Sequence, residues 1–430
     1  MVDCQTDTVK QTGSQTRAAI RSMNMVAADV SPLIILRMKV RADSRRLLRF
    51  GGGNREPADS SIHSTNLPQR ACNLLLHVQQ KAVAQKWILN RYMAALIFLT
   101  TLSLSFRLIG ETELGRLAVS KSSDFTARTR VSITNSQWHI NGEGTYRGAK
   151  AEGLLMNVRM VNAVFEDRKR PDFDAEANTD SFIAHIPDYA SHGVRAFTIC
   201  LQGGTPGYEG AVNSAFNPDG SLRDSYLQRV RRVIEACDRN GVVVILGCYY
   251  QRQDQILKND DDVRTGVVNV VNWIKTRKFS NVVLEIANEF PHKGFDHRLL
   301  KTPEGEVELI RLAKQTAPDL LVATSGIGDG RLPDTVAQSS DFLLMHFNGV
   351  PLKAIPERIA ALKKFGKPIV CNEDDTSGAT AAHAAELSVA NGASWGLMLL
   401  KVNQTFPFLF QGAADDAIVY AKLKELTSAR

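Results

Sequence analysis

Cysteine is scarce in this 430-residue chain: there are six, none forms a C-x-x-C pair, and none joins a Cys/His cluster with zinc spacing. That excludes a zinc-finger scaffold and gives no disulfide framework. Cys200, Cys248 and Cys371 fall in apolar runs, where a free thiol serves as a small core hydrophobe, while Cys4, Cys72 and Cys237 stand apart. If a disulfide forms at all, Cys200 with Cys248 is the best pair, since adjacent strands would carry them. A glycine-rich phosphate loop is also missing. An open doubly wound sheet normally carries one after its first strand, and that position here reads Asn157-Val158-Arg159-Met160. Excess charge is missing too from most of the chain. The net +7 is concentrated in residues 1–120, which hold 16 Lys/Arg against 8 Asp/Glu, so the remainder stands near −1. Residues beyond 120 therefore lack the basic footprint of a nucleic-acid binder.

Residues 1–92 are polar, basic and without steady periodicity, as in MKVRADSRRLLRF (38–50), and are expected to form a disordered extension or an upstream misreading of the start. A basic nucleic-acid-binding arm is the sharper alternative. The apolar run MAALIFLTTLSLSF (93–106) follows Lys81, Lys86 and Arg91. It is short for a membrane span but suits the core of a secretory signal, with Ser103-Leu104-Ser105 as a small-x-small cleavage site. Its position far from Met1 fits a downstream translation start. A single-pass anchor within 93–110 is the alternative, and either implies an exported protein. Residues 111–136 read as a linker.

From 137 the texture changes. Gln137 to Tyr146 reads as a hairpin turning on Asn141-Gly142. Eight short apolar runs then alternate with helical patterns: 153–158, 194–201, 242–249, 281–288, 320–325, 341–347, 367–372 and 393–399. These are continuous rather than alternating, as expected of strands buried on both faces. Between them, Leu227, Val230, Val233, Ile234 and Cys237 recur at helical spacing before Gly241, as do Ile355, Ile359 and Leu362 before Gly366. The expected fold is α/β, a single (β/α)8 barrel over 137–430 with a small N-terminal hairpin.

Barrel chemistry comes from the carboxyl ends of strands and the loops beyond. Strand one offers Asn157 and Arg159; strand two, Gln202 and the loop Gly203-Gly204-Thr205-Pro206-Gly207-Tyr208; strand three, Tyr249-Tyr250-Gln251. Strand four ends in Asn288-Glu289, strand six in His346-Phe347-Asn348, strand seven in Asn372-Glu373-Asp374-Asp375, and strand eight carries Trp395. Carboxylates from strands four and seven would face each other across the mouth. Cleaving a glycosidic bond takes such a pair: an acid for the leaving oxygen and a carboxylate for the oxocarbenium-like centre.

The run Val283-Leu284-Glu285-Ile286-Ala287-Asn288-Glu289 resembles the strand-four motif of retaining barrel glycosidases, especially the cellulase-like glycoside hydrolase family 5. Pro368-Ile369-Val370-Cys371-Asn372-Glu373 is similar to the clan's strand-seven motif. The resemblance covers about residues 137–425 and implies that Glu289 is the acid/base, Glu373 the nucleophile, and Asn288 a partner of the sugar 2-hydroxyl. It further implies that His346 steers the nucleophile side and that Trp395 forms a sugar platform. The family's strand-two Arg is replaced by Thr198, and its strand-three His by Tyr249-Tyr250; Arg159 could supply the missing positive charge. On this reading Glu289 should hold its proton near neutral pH, raised by burial and by Glu373. Glu285 reads as structural, and Asp374 and Asp375 as loop acids rather than metal ligands. Only one of Tyr249 and Tyr250 should face the mouth. No metal or organic cofactor is called for; the expected partner is a carbohydrate, with no nucleic acid and membrane association only through 93–110. The rival readings are a non-catalytic carbohydrate-binding barrel, a metal-dependent hydrolase and a membrane-anchored structural protein.

Overall fold

The computed structural model describes residues 125–429. The expectations for residues 1–92 and 93–110 lie outside the described residues. Among those described, no helix is long and apolar enough to cross a membrane.

The chain enters through a three-stranded antiparallel sheet, β1 (Val131–Thr134), β2 (Gln137–Ile140) and β3 (Glu143–Gly144). The β2–β3 turn is the expected Asn141-Gly142, with both residues at positive φ (55° and 84°), as a tight hairpin of this kind requires. The first strand was expected to be linker. It is instead part of the fold, because its lead-in is tied to buried Asp238: Thr129 N–H donates to that carboxylate at 2.8 Å and Arg128 N–H at 3.0 Å.

Eight parallel strands follow: β4 (Asn157–Arg159), β5 (Ala196–Cys200), β6 (Val243–Tyr249), β7 (Val282–Ala287), β8 (Val322–Ala323), β9 (Leu343–His346), β10 (Ile369–Glu373) and β11 (Gly396–Leu397). A helix succeeds each in turn: α1 (Ala175–Ser191), α2 (Asp224–Arg239), α3 (Asp260–Thr276), α4 (Pro303–Thr316), α5 (Asp334–Ser339), α6 (Ile355–Leu362), α7 (Gly378–Ala390) and α8 (Ala417–Thr427). Helix starts follow local chemistry. Asn259 caps α3 by accepting from the N–H groups of Asp261 and Asp262, and Thr302 caps α4 ahead of Pro303. The architecture is α/β with a parallel sheet. Its continuous ladders form one six-stranded sheet, β11-β4-β5-β6-β7-β8, and a separate pair, β9-β10, rather than one closed ring. Single parallel bridges span the two gaps, Ser325 to Leu344 on one side, Val370 to Ser394 and Asp374 to Leu397 on the other.

Strand alternation sorts the apolar residues into two clusters. Val244, Leu246, Leu284 and Cys371 join the helices' apolar faces in the larger one. Ala196, Val243, Ile245, Val283, Ala323, Leu344 and Val370 gather with Trp138 of the hairpin in the smaller. Trp138 is fully buried and meets Phe342 edge-on at 5.2 Å, so the hairpin closes the amino ends of the strands with a large apolar plug. The polar strand residues lie above that plug, towards the carboxyl ends. The cysteines Cys200, Cys237, Cys248 and Cys371 are buried and free, and no disulfide joins Cys200 to Cys248.

Candidate active site

Two backbone irregularities aim the paired carboxylates. Glu289, just past β7, has φ 56°, a left-handed conformation that costs roughly 1–3 kcal/mol for a side chain of this kind. The turn is pinned from below: Glu289 N–H donates to Ser325 Oγ (3.0 Å), and Ser325 Oγ–H donates to Glu285 Oε1 (2.6 Å). Glu285 is fully buried, and its pKa is raised by burial against the lowering effect of Arg159 and His346. In β10 the register slips between Cys371 and Glu373, so Glu373 pairs with His346. A bulge of this kind breaks the in-out alternation. Asn372 points inward to Glu285 (3.4 Å), and Glu373 nevertheless turns inward as well.

The two carboxylates converge. One oxygen of Glu289, one of Glu373 and a ring nitrogen of His346 all lie within 4.8 Å of one another. His346 Nδ1 sits 3.2 Å from Glu289 Oε1 and 3.5 Å from Glu373 Oε2. Arg159, whose side chain is wholly buried, brings Nε to 2.8 Å from Glu373 Oε2 and donates from Nη2 to Asn288 Oδ1 at 2.7 Å. The Nε contact is ionic rather than a well-aligned hydrogen bond, since neither atom has a hydrogen-bond partner by geometry. Asn348 Nδ2 donates to Glu373 Oε1. Gln251 donates to Glu289 Oε2 (3.2 Å) and accepts from Asn288 Nδ2 (3.1 Å). Tyr250 lies alongside, its ring 5.8 Å from the Arg159 guanidinium, and its hydroxyl is driven upward in pKa by burial. Arg159 is the register partner of Thr198, so the positive charge comes from the strand next to the one that lacks it.

The protonation pattern departs from expectation. Burial pushes the Glu289 carboxyl up, but the hydrogen bond and charge of His346, with Arg159 behind them, outweigh it and hold Glu289 below its ordinary 4.5. Burial likewise pushes His346 down, yet the two carboxylates raise it above 6.5. The expected raised Glu289 is thus corrected: two cations, not one anion, dominate its surroundings.

Four other residues expected at the mouth serve elsewhere. Trp395 is fully buried and donates from Nε1 to Asp374 Oδ2 (2.8 Å), which removes it as a sugar platform and makes Asp374 its anchor. Tyr249 points outward to the Val263 carbonyl on α3 (2.6 Å), leaving Tyr250 as the inward member. Asn157 is buried against the Leu155 and Cys371 carbonyls, below the mouth. Gln202 is buried in the loop base, donating to Ser214 Oγ (3.2 Å) and the Gln253 carbonyl (3.0 Å) while accepting from Tyr250 N–H (3.1 Å). Gln251 and Asn348 were read as strand-end residues and given no role, and Ser325 was not singled out from sequence. Gln251 directly follows inward Tyr250, and Asn348 stands two places after inward His346, which was the one available signal.

Several buried polar atoms here have no protein partner among the described residues: His346 Nε2, Asn348 Oδ1, Asn372 Oδ1 and Arg159 Nη1. Such a set suits a hydroxyl-rich ligand. Glu289, His346 and Glu373 could also offer three metal ligands. The Arg159 guanidinium already occupies the Glu373 oxygen that a cation would use, and its charge opposes one. A cavity of about 500 Å³ lies between the loops after β5 and β6, lined by Gln251, Gln253 and the glycine-rich loop, with neither carboxylate in its wall. Another of about 510 Å³ opens at the amino ends of the strands, beside Val131, Val282 and Leu321, and contains none of the titrating cluster.

No family profile and no curated protein matches the sequence. Among solved structures, the backbone is similar to a glycoside hydrolase family 5 enzyme from Prevotella bryantii, at 10% identity and TM-score 0.47 over 69% of this chain and 100% of that one. It is similar as well to an endo-1,4-beta-mannanase from Eisenia fetida, at 14% identity and TM-score 0.45 over 70% of this chain and 95% of that one. A glycoside hydrolase family 5 structure from Bacteroides vulgatus shows 13% identity and TM-score 0.44 over 63% of this chain and 62% of that one. The chain spans 59% of the length of a further Bacteroides vulgatus structure. These likenesses concern the course of the backbone, and the solved structures include members of the family whose strand-end motifs the sequence resembles.

Proposed function

We propose that the protein is a glycoside hydrolase on a (β/α)8 barrel, cleaving a β-linked oligo- or polysaccharide with retention of anomeric configuration. One observation carries the reading: Glu289 and Glu373 leave the carboxyl ends of β7 and β10 and bring an oxygen from each within 4.8 Å. Oxygens that approach this closely fit carboxyl groups about 5–5.5 Å apart, as direct attack requires, better than the roughly 6.5–9.5 Å of inverting enzymes.

Glu373 attacks the anomeric carbon while the bond to the leaving oxygen breaks, and that oxygen takes a proton from Glu289. Water then attacks the same carbon, gives its proton to Glu289, and releases Glu373. Arg159 and Asn348 hold Glu373 in its orientation, both being direct partners of its oxygens. His346 stores the proton at Nδ1, 3.2 Å from Glu289 Oε1. A bound neutral sugar excludes water and penalises the charged carboxylate, so the proton moves across that contact to Glu289 before the leaving group needs it.

Turnover of aryl β-glycosides and of soluble β-glucans and β-mannans, with the anomeric outcome followed by NMR, tests the reading. Glu289→Gln and Glu373→Gln should each lose at least about a hundredfold in kcat while folding normally. Wild-type activity in either variant sinks the assignment. The three-ligand cluster favours a second reading, a metal-dependent hydrolase, which predicts loss of activity on chelation and recovery with a divalent cation. We further assign the protein to an exported or membrane-anchored location on the strength of the apolar run at 93–106, and amino-terminal sequencing of the natural protein tests this.

A further inference from the structure

We infer that the end of the domain opposite the paired carboxylates docks on an anionic membrane surface, through a basic rim around the apolar cavity at the amino ends of β7 and β8. This extends the membrane-linked location proposed above and does not depend on the glycosidase reading.

The rim is strongly one-signed. Arg130, Lys275 and Lys278 line the cavity of about 510 Å³ and are exposed, and Asp319 is the one acid among the lining residues. Exposed Arg277 adjoins Lys278. Exposed Arg128 and Arg239 stand beside buried Asp238, whose carboxylate accepts from Arg128 N–H at 3.0 Å. The ion pairs of α2 and α3 use Arg229, Arg231, Arg232 and Arg264, and leave these six cations out. A cluster of this size is what an anionic lipid surface attracts.

The floor between the cations is apolar. Ile274, Phe279 and Val282 are buried at its base, and Val131, Leu320 and Leu321 are half-buried around it. Half-buried Trp273 meets Phe279 edge-on at 5.2 Å and brings a side chain with one apolar and one wet end, suited to headgroup depth. Cations around apolar surface match anionic headgroups over acyl chains.

The chain also enters the domain here. Phe125, the first described residue, packs on Phe279 at 5.2 Å, Ser280 Oγ–H donates to the Thr129 carbonyl at 2.7 Å, and Val131 N–H donates to the Ser280 carbonyl at 2.9 Å. The apolar run 93–106 precedes that entry in sequence. Other occupants fit less well. A nucleic-acid backbone would use the cations but not the apolar floor, and a second copy related by a two-fold axis would set the same cations face to face. A bilayer on this face leaves the mouth holding Glu289 and Glu373 turned to solvent.

Lysine footprinting on the full chain gives the test. The protein is mixed with vesicles of phosphatidylcholine alone or phosphatidylcholine with phosphatidylserine, acetylated briefly and read by mass spectrometry. On the serine-containing vesicles, labelling of Lys275 and Lys278 should slow severalfold, while exposed Lys258 and Lys353, in the loops after β6 and β9, keep their free-solution rates. Lys275→Glu with Lys278→Glu should lower the ratio of partition coefficients, serine-containing over neutral, by at least about tenfold. That ratio cancels whatever the apolar run contributes on neutral lipid. Lys258→Glu with Lys353→Glu, the same charge change at the other end, should leave it near wild type, with thermal unfolding as the folding control for both. Free-solution labelling of Lys275 and Lys278 on bound protein overturns the proposal, as does an unchanged ratio in the first variant or a wild type that binds neither vesicle. Equal protection of the two lysines by a DNA duplex overturns it in favour of a general polyanion site.

Discussion

Replacing Arg159 with Met tests the electrostatic core of the site. The Arg159 side chain is 0% exposed and that of Glu373 6%, with 2.8 Å between Nε and Oε2. Met keeps the bulk and removes the charge, leaving Glu373 buried with only His346 and Asn348 beside it and Asn288 Oδ1 without its 2.7 Å donor. Breaking a buried pair by removing one partner costs about 3–5 kcal/mol, since the remaining ion stays desolvated and uncompensated. Glu373→Gln alone strands Arg159 in the same way. The double variant, Arg159→Met with Glu373→Gln, removes both ions, so its loss should fall short of the summed single losses by at least about 2 kcal/mol. Urea unfolding of the full chain at pH 7, with linear extrapolation for all four proteins, measures this. Losses that add to within about 0.5 kcal/mol would show that the two groups do not sense each other, and the account of Arg159 as the partner that holds Glu373 would fall.

The pH profile should be bell-shaped, because one proton must reside on the Glu289–His346 pair. Glu289 is depressed below 4.5, so activity is lost on the acid side only as pH falls through that lower value; His346 is raised above 6.5, so the alkaline limb lies above 6.5. His346→Gln should abolish or displace that alkaline limb, and an unaltered profile refutes the proton store. The stability contribution of His346 follows the same sign: complete below 6.5 and fading as pH rises through the raised value. Glu306 on α4 follows the same sign over a lower range. Fully buried, with neither oxygen hydrogen-bonded among the described residues, it is pushed by burial from 4.5 to about 8. Its unfolded form ionises first, so folding weakens between pH 4.5 and 8, by up to about 5 kcal/mol. Glu306→Gln should therefore gain stability relative to wild type as pH rises from 5 to 8, and parallel urea midpoints at both values refute it. Exhaustive dialysis against a chelator should leave turnover unchanged, as Arg159 disfavours a cation; its loss and recovery with a divalent ion would favour the metal-dependent reading.

The eight strands were legible because burial on both faces demands uninterrupted apolar runs, and each observed strand falls on or beside the expected one. Short β1 was not, since Val131–Thr134 is four residues long and the anchor of its lead-in, Asp238, is distant along the chain. Pairing Glu289 with Glu373 followed from the strand ends alone, but two misassignments share one cause. Asn157 and Trp395 were judged by proximity to a strand end, whereas depth along the strand decides whether a side chain reaches the mouth; parity did separate Tyr249 from Tyr250, of which one was expected to face inward. The sign of the Glu289 shift was unreadable for a related reason. It depends on Arg159 and His346 standing within a few ångströms of the same carboxylates, and no spacing along the chain encodes that.

The slip in β10 decides how many side chains the strand end turns inward. By ordinary alternation, Val370 faces in and Cys371 out, so with Asn372 inward the next side chain belongs among the helices. A single surplus position swings it back inward. Deleting Asn372 would restore an unbroken ladder with Glu373 still opposite His346, and only the contact to Glu285 would go. One extra residue lets the strand brace the buried acid beneath and still present a carboxylate at its tip.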